Sequence, residues 1–206
     1  MSFEVFDTFA EKYEEWYRKN TILAENEVRL LKRFYFGYPS LEIGVGTGFF
    51  AYHLRIDLGV DLALNALRIA KRRVEVIAAN ASMLPFKDKS IDSSLLAVTL
   101  CFLERPEEAV EELKRVMKPY GKAIACIVPK ESTWGKYYEA KESVFYKVAH
   151  FFTVMEVIDL FKSKGFSYVK ALGTLSFKPW QNPIVEEPKA WAYGYDLGFV
   201  CIEFMI

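Results

Sequence analysis

Five short apolar runs, most of them separated by helical patterns, constrain this chain more than any other feature. They fall at residues 40–43, 56–60, 74–78, 94–100 and 122–128. Helical periodicity occupies 62–72 and 106–118 between them. In the second segment Val110, Leu113 and Met117 share one face, and Lys118, Pro119 and Gly121 supply a stop signal. Strands alternating with helices predict a parallel sheet covered on both faces, with right-handed crossovers. The runs "SSLLAVTL" and "KAIACIVP" do not alternate polar with apolar residues, as expected of strands buried on both sides.

The flanks follow other rules. Residues 4–19 and 22–36 read as helices, the second stopping near Gly37 and Pro39. Thr153 and Glu156 have the spacing of a capping box, with Phe152 and Val157 placed as its staple, and this helix ends at Gly165. Residues 166–175 and 197–205 then read as two strands. The Pro- and Trp-rich loop between them carries no helical pattern, so an antiparallel pair is expected. With 206 residues and 52% hydrophobic content, the chain suits one globular domain.

Charge narrows the partners. Lys+Arg and Asp+Glu balance at 27 each, so no basic excess favours nucleic acid or an anionic membrane. The N-terminus lacks the pattern of a signal peptide. The longest apolar stretch, 95–103, is far short of the ~20 residues of a membrane span. Cys101, Cys126 and Cys201 each sit alone in an apolar run. They are expected to be buried thiols of a cytoplasmic protein, not a disulfide or a metal site. No conventional metal-ligand spacing is present.

The loop after the first strand reads "LEIGVGTGFF", with Gly44, Gly46 and Gly48 at alternate positions behind Glu42. Each glycine in an element interior costs roughly 0.5–1 kcal/mol against alanine, so three in one turn imply close approach of a ligand to backbone. The loop lies at the carboxyl edge of the sheet, where open α/β folds bind ligands. A dinucleotide fingerprint would place its third glycine at Phe49, and a phosphate loop would need Gly-Lys-Ser/Thr; neither is present. Nineteen residues past Glu42, Asp61 ends the second strand and can accept hydrogen bonds from both hydroxyls of a ribose, or cap the next helix. Nineteen further on, Asn80 ends the third strand and offers donor and acceptor to a base edge, with Leu62 and Met83 placed to sandwich it.

With these residues, the chain resembles the class I S-adenosylmethionine-dependent methyltransferases, in the small-molecule branch called methyltransferase type 11. The motifs that carry the resemblance are "LEIGVGTG", "GVD", "ANASMLPFKDKSID" and "EELKRVMKPYGKAIACIVP". "FFTVMEVIDLFKSKGF" and "FDTFAEKYEEWY" are similar to the family's later helix and its N-terminal cover. The resemblance implies a Rossmann-like α/β fold with a seven-stranded, mostly parallel sheet in the order 3-2-1-4-5-7-6, the last strand antiparallel. It implies one domain: a helical cover at 1–38, a cofactor-binding core at 39–130, an acceptor-site lid at 131–152, and a C-terminal helix with a strand pair at 153–206.

It also implies S-adenosyl-L-methionine as cofactor. Glu42, Gly44, Gly46 and Gly48 would surround its methionine end. Asp61 would hold the ribose. Asn80, Ala81, Leu62 and Met83 would take the adenine, and Tyr13 and Thr99 would close the other side. Asn80 departs from the Asp usual there. Tyr120 replaces a glycine in "KPYG", and Ile91 replaces an aromatic before Asp92.

Methyl transfer needs alignment and exclusion of water more than a catalytic triad. His150 is the candidate base, and His53 reads as structural. Trp134, Tyr137 and Tyr138 could wall an apolar or cationic acceptor, or form a small core of their own. The acceptor is expected to be a small molecule, not nucleic acid or membrane. Rival readings are a nicotinamide-dependent oxidoreductase and a non-catalytic S-adenosylmethionine-binding protein.

Overall fold

The computed structural model describes residues 2–206. Three helices precede the sheet: α1 (Ser2–Thr8), α2 (Ala10–Lys19) and α3 (Thr21–Leu31). The core follows as β1 (Ser40–Ile43), α4 (Phe49–Leu54), β2 (Leu58–Asp61), α5 (Leu64–Ala70), β3 (Glu75–Ala78), β4 (Ile91–Ala97), α6 (Pro106–Val116) and β5 (Met117–Ile127). It closes with α7 (Thr133–Glu139), α8 (Val154–Ser163), β6 (Ser167–Thr174), β7 (Lys189–Ala190) and β8 (Phe199–Met205).

The sheet order is β3-β2-β1-β4-β5-β8-β6-β7. Strands β1 to β5 are parallel, and β8 runs antiparallel to both β5 and β6. This is the expected seven-strand order with an eighth strand added. β7 is two residues long and pairs Ala190 and Lys189 with the outer edge of β6; a pattern that short leaves no periodicity to read. Every residue of β1 is buried, and so are all six residues Phe199–Phe204, five of them apolar. The exception in that run, Glu203, is also buried and meets the ammonium groups of Lys122 and Lys170 at 2.9 and 3.4 Å.

Two apolar layers sandwich the sheet. On one face α6 and α8 supply Val110, Leu113, Val157 and Phe161, and Phe161 stacks on Phe204 with ring centroids 4.2 Å apart. On the other, Leu30 and Leu31 of α3 pack with Phe50, Leu95, Trp134 and Phe199. The capping box of α8 forms as its spacing predicts: Glu156 N donates to Thr153 Oγ1 at 3.1 Å, and Thr153 N donates to Glu156 Oε2 at 2.7 Å.

Several boundaries move. The first helical pattern divides at Phe9 into α1 and α2. The stop signal at 118–121 does not make a free turn. β5 begins at Met117 opposite Ile91 and resumes at Lys122 opposite Ser93, so "KPYG" bulges out between two paired positions. The cysteines need a correction. Cys126 and Cys201 form a disulfide, and Cys101 is the free thiol. The two partners lie 75 residues apart in sequence but face each other across β5 and β8. Only the strand register brings them together. Among the described residues no helix is long and apolar enough to cross a membrane.

Candidate active site

The glycine loop leaves β1 and turns under the tips of β2 and β4. Gly44 N and Val45 N donate to Val60 O at 2.8 and 3.0 Å, which ties the loop to β2. Gly44 has φ +71°, and a Cβ there would meet Thr99 Cγ2 at 2.4 Å, so no side chain fits. Gly46, φ +51°, faces open space, where a Cβ would have Tyr13 Cε1 at 3.5 Å as its nearest neighbour. Gly48 is different: it precedes α4 and abuts Ala70 of α5, away from the cavity. Gly46→Ala is expected to cost about 1 kcal/mol of stability from its left-handed backbone alone. Thermal melts check this; an unchanged midpoint would show the loop relaxing freely.

Asp61 fixes this loop from the end of β2. Its Oδ2 accepts from Gly46 N at 2.8 Å, and its Oδ1 accepts from Ala63 N at 2.9 Å. Burial raises its pKa above the ordinary value, while these backbone N–H groups act to lower it. Together Gly44, Gly46, Asp61, Leu62, Asn80 and Ala81 form one side of a cavity of about 160 Å³. Asn80 Oδ1 accepts from Ser82 N at 2.9 Å, closing a local turn. Met83 does not line this wall: the residue is 77% exposed, in a bridge with Asn80. Thr99, whose Oγ1 donates to Ile43 O at 2.9 Å, lines the cavity beside Gly44, and Val98, Phe102, Leu103 and Arg105 line it too. Sequence patterns did not single out those last four residues.

The N-terminal helices roof this space. Phe3 and Phe6 of α1 and Tyr13 of α2 line it. Three contacts hold the roof down. Asp7 accepts from Asn65 N at 2.7 Å and so caps the uncapped first turn of α5. Arg73 donates to both oxygens of Glu14, at 2.6 and 2.9 Å, and to Thr47 O of the glycine loop at 3.0 Å. Ser2 Oγ donates to Phe102 O. Arg73→Ala is expected to weaken cofactor binding about fivefold, near 1 kcal/mol, because the roof loses a charge-assisted anchor. Titration with S-adenosylhomocysteine reads the change; equal affinities would make the anchor irrelevant to binding.

Glu42 lies 1% exposed at the middle of β1 and does not itself line the cavity. Its Oε2 has no hydrogen-bond partner among the described residues, and Ala51 N donates to the carboxylate. Burial raises its pKa well above the ordinary value, and the nearby charge of Asp61 adds to this. An orphaned buried carboxylate, a loop bare of side chains at Gly46 and an anchored Asp61 fit the amino-acid, loop-facing and sugar parts of S-adenosylmethionine.

A second cavity of about 310 Å³ adjoins the first and shares Phe6, Tyr13, Val98 and Phe102 with it. Trp16, Tyr17, Tyr138, Phe145 and Tyr146 complete most of its aromatic wall. One acidic side chain from α3, Glu27, lines it while only 6% exposed. Of the three aromatic residues expected to wall an acceptor, only Tyr138 lies here. Trp134 is buried elsewhere and donates from Nε1 to Phe177 O at 2.7 Å. Tyr137 is partly exposed with Lys141 Nζ 5.5 Å from its ring centroid. His150 is exposed, lines neither cavity and packs edge-on against Phe152 at 4.6 Å. Its backbone N–H donates to Cys101 O at 2.7 Å. His53 sits on α4 against Phe49 at 4.7 Å. Phe49, at the dinucleotide pattern's third-glycine position, stacks on Tyr17 at 3.9 Å.

A family model for the methyltransferase domain, type 11, matches residues 41–125. An uncharacterised Methanocaldococcus jannaschii protein is 41% identical over 201 residues, covering 96% of this chain and 97% of its own. The crystal structure of a Thermotoga maritima SAM-dependent methyltransferase, described as a possible histamine N-methyltransferase, superposes with a TM-score of 0.94 at 37% identity. That match covers 100% of this chain and 99% of the other. A demethylmenaquinone methyltransferase of Paenarthrobacter aurescens is 32% identical over 135 residues, which are 58% of this chain and 52% of that enzyme. Mycobacterium tuberculosis has a 34% identical relative that is longer, and the chain spans 62% of its length. The glycine loop, the anchored Asp61 and these matches together make this chain a member of the class I S-adenosylmethionine-dependent methyltransferases, type 11 branch.

Proposed function

We propose that this enzyme methylates a small organic molecule held in the second cavity. The observation that carries the reading is the pair of adjoining cavities with Tyr13, Phe6, Val98 and Phe102 common to both. When bound, S-adenosylmethionine supplies a methyl group activated on sulfonium, open to in-line displacement by a nucleophile. In this reading Gly44, Gly46 and Asp61 hold and orient the cofactor, Glu42 acts on its ammonium through water from behind the glycine loop, and Asn80, Ala81 and Leu62 take the base. Residues 1–38 and 131–152 cover the acceptor and exclude water, so positioning supplies most of the rate. Tyr13 and Tyr17, joined at 2.9 Å, both have pKa values raised by burial. They stay protonated at neutral pH and act as wall rather than base.

The small size of the enclosed space supports a small acceptor. The test is transfer of radiolabelled methyl groups to metabolite fractions and to macromolecules. Label is expected in the small-molecule fraction. Label confined to protein or nucleic acid would overturn the acceptor class, and cofactor binding with no transfer in any fraction would favour a non-catalytic role.

A further inference from the structure

Glu27 has no part in cofactor binding as described, yet it is a carboxylate placed in an aromatic chamber. It lies on the inner face of α3, where the positions one turn away, Leu23, Ala24, Leu30 and Leu31, are apolar and buried. Among the described residues no hydrogen bond or ion pair reaches it, and burial is the one cause acting on its acidity. It lines the same cavity as Tyr13, Tyr17, Tyr138 and Tyr146, and its charge acts to raise the pKa of each. Glu42 acts on Tyr13 and Tyr17 in the same direction.

The two lysines of the same cavity do not neutralise it. Lys12 Nζ lies 5.8 Å from the Phe9 ring centroid and Lys141 Nζ lies 5.5 Å from that of Tyr137. Neither ring lines the chamber. A buried acid without a partner stays protonated, and a bound cation draws it into the carboxylate form. Tyrosine and tryptophan faces attract cations within about 6 Å. Carboxylate and ring faces therefore select the same ligand chemistry.

We infer that the acceptor is an organic amine, cationic at neutral pH, whose nitrogen sits on Glu27 with its carbon skeleton between Tyr13, Phe145 and Tyr146. This rests on the methyltransferase reading of the adjoining cavity. For transfer, the ammonium gives one proton to the Glu27 carboxylate. The freed nitrogen lone pair forms the new bond to the methyl carbon, and the carbon–sulfur pair stays with sulfur. Charge balances: a carboxylate and an ammonium become a carboxylic acid and an amine, and the amine then takes the positive charge given up by sulfur.

The test uses the full chain saturated with S-adenosylhomocysteine. Calorimetry and intrinsic tryptophan fluorescence follow titration with 2-phenylethylamine, 2-(imidazol-4-yl)ethylamine and 1,4-diaminobutane, each against the alcohol of the same skeleton. At least one amine is expected to bind ten or more times more tightly than its alcohol. Glu27→Gln should reduce that preference below threefold, whereas Glu142→Gln at the rim should keep it. The comparison in the unaltered chain stands even if a variant misfolds. No amine preference in any pair, a preference untouched by Glu27→Gln, or one abolished by Glu142→Gln alone overturns the inference. Failure of S-adenosylhomocysteine to bind, with the amine preference intact, would instead sink the cofactor assignment.

Discussion

Replacing Asp61 with alanine should raise the dissociation constant for S-adenosylhomocysteine by about 5- to 150-fold, roughly 1–3 kcal/mol. Two losses combine. The carboxylate no longer offers acceptors to a sugar, and the Gly46 and Ala63 N–H groups lose the partners they have at 2.8 and 2.9 Å. An N–H left unpaired in a partly buried loop costs as much as the contact it made. Asp61→Asn keeps one acceptor oxygen and should fall between the two. Calorimetric titration of the three proteins checks this. Equal constants for alanine and the parent would remove Asp61 from the site, whatever the loop does.

Glu27→Gln should stabilise the ligand-free protein, and more so as pH rises. Burial pushes the Glu27 carboxyl up from 4.5 to about 8. Between those two values the native state keeps a proton that the unfolded chain has released. Stability therefore falls with rising pH across the window, by about 1.4 kcal/mol per unit. Below the lower value nothing is lost, and above the upper value the loss is complete. At pH 7 the penalty is about 3 kcal/mol, and the neutral amide does not pay it. For a chain of this length that corresponds to roughly 6–12 °C in the melting midpoint. Glu42 is raised in the same direction but is present in both proteins, so it cancels in the difference. Parallel melting curves of the two proteins at pH 5 and pH 8 are the measurement. A constant gap between them would show that Glu27 titrates normally.

The fold was largely legible because strands buried on both faces cannot hide. The runs at 40–43, 94–100 and 122–128 contain β1, most of β4 and the paired half of β5. Long-range register was not legible. The Cys126–Cys201 bond and the two-residue β7 depend on which strands meet, which no local window contains. The site divides in the same way. Gly44, Gly46, Asp61 and Asn80 sit at strand tips, and strand tips follow from the pattern. Met83 and His150 sit on irregular backbone, where nothing in the sequence fixes a direction. Glu27 did leave a trace. Leu23, Glu27, Leu30 and Phe34 follow helical spacing along one buried stripe. An acid within an apolar stripe is the kind of mismatch that marks a functional position.

The roof made by α1 and α2 is sensitive to ionic strength. One short stretch of chain closes both chambers, and Tyr13 belongs to each. The contacts that hold it, Asp7 on Asn65, Glu14 on Arg73 and Ser2 on Phe102, are all polar. Its grip is therefore electrostatic, and added salt should loosen the Arg73 anchor over both chambers at once.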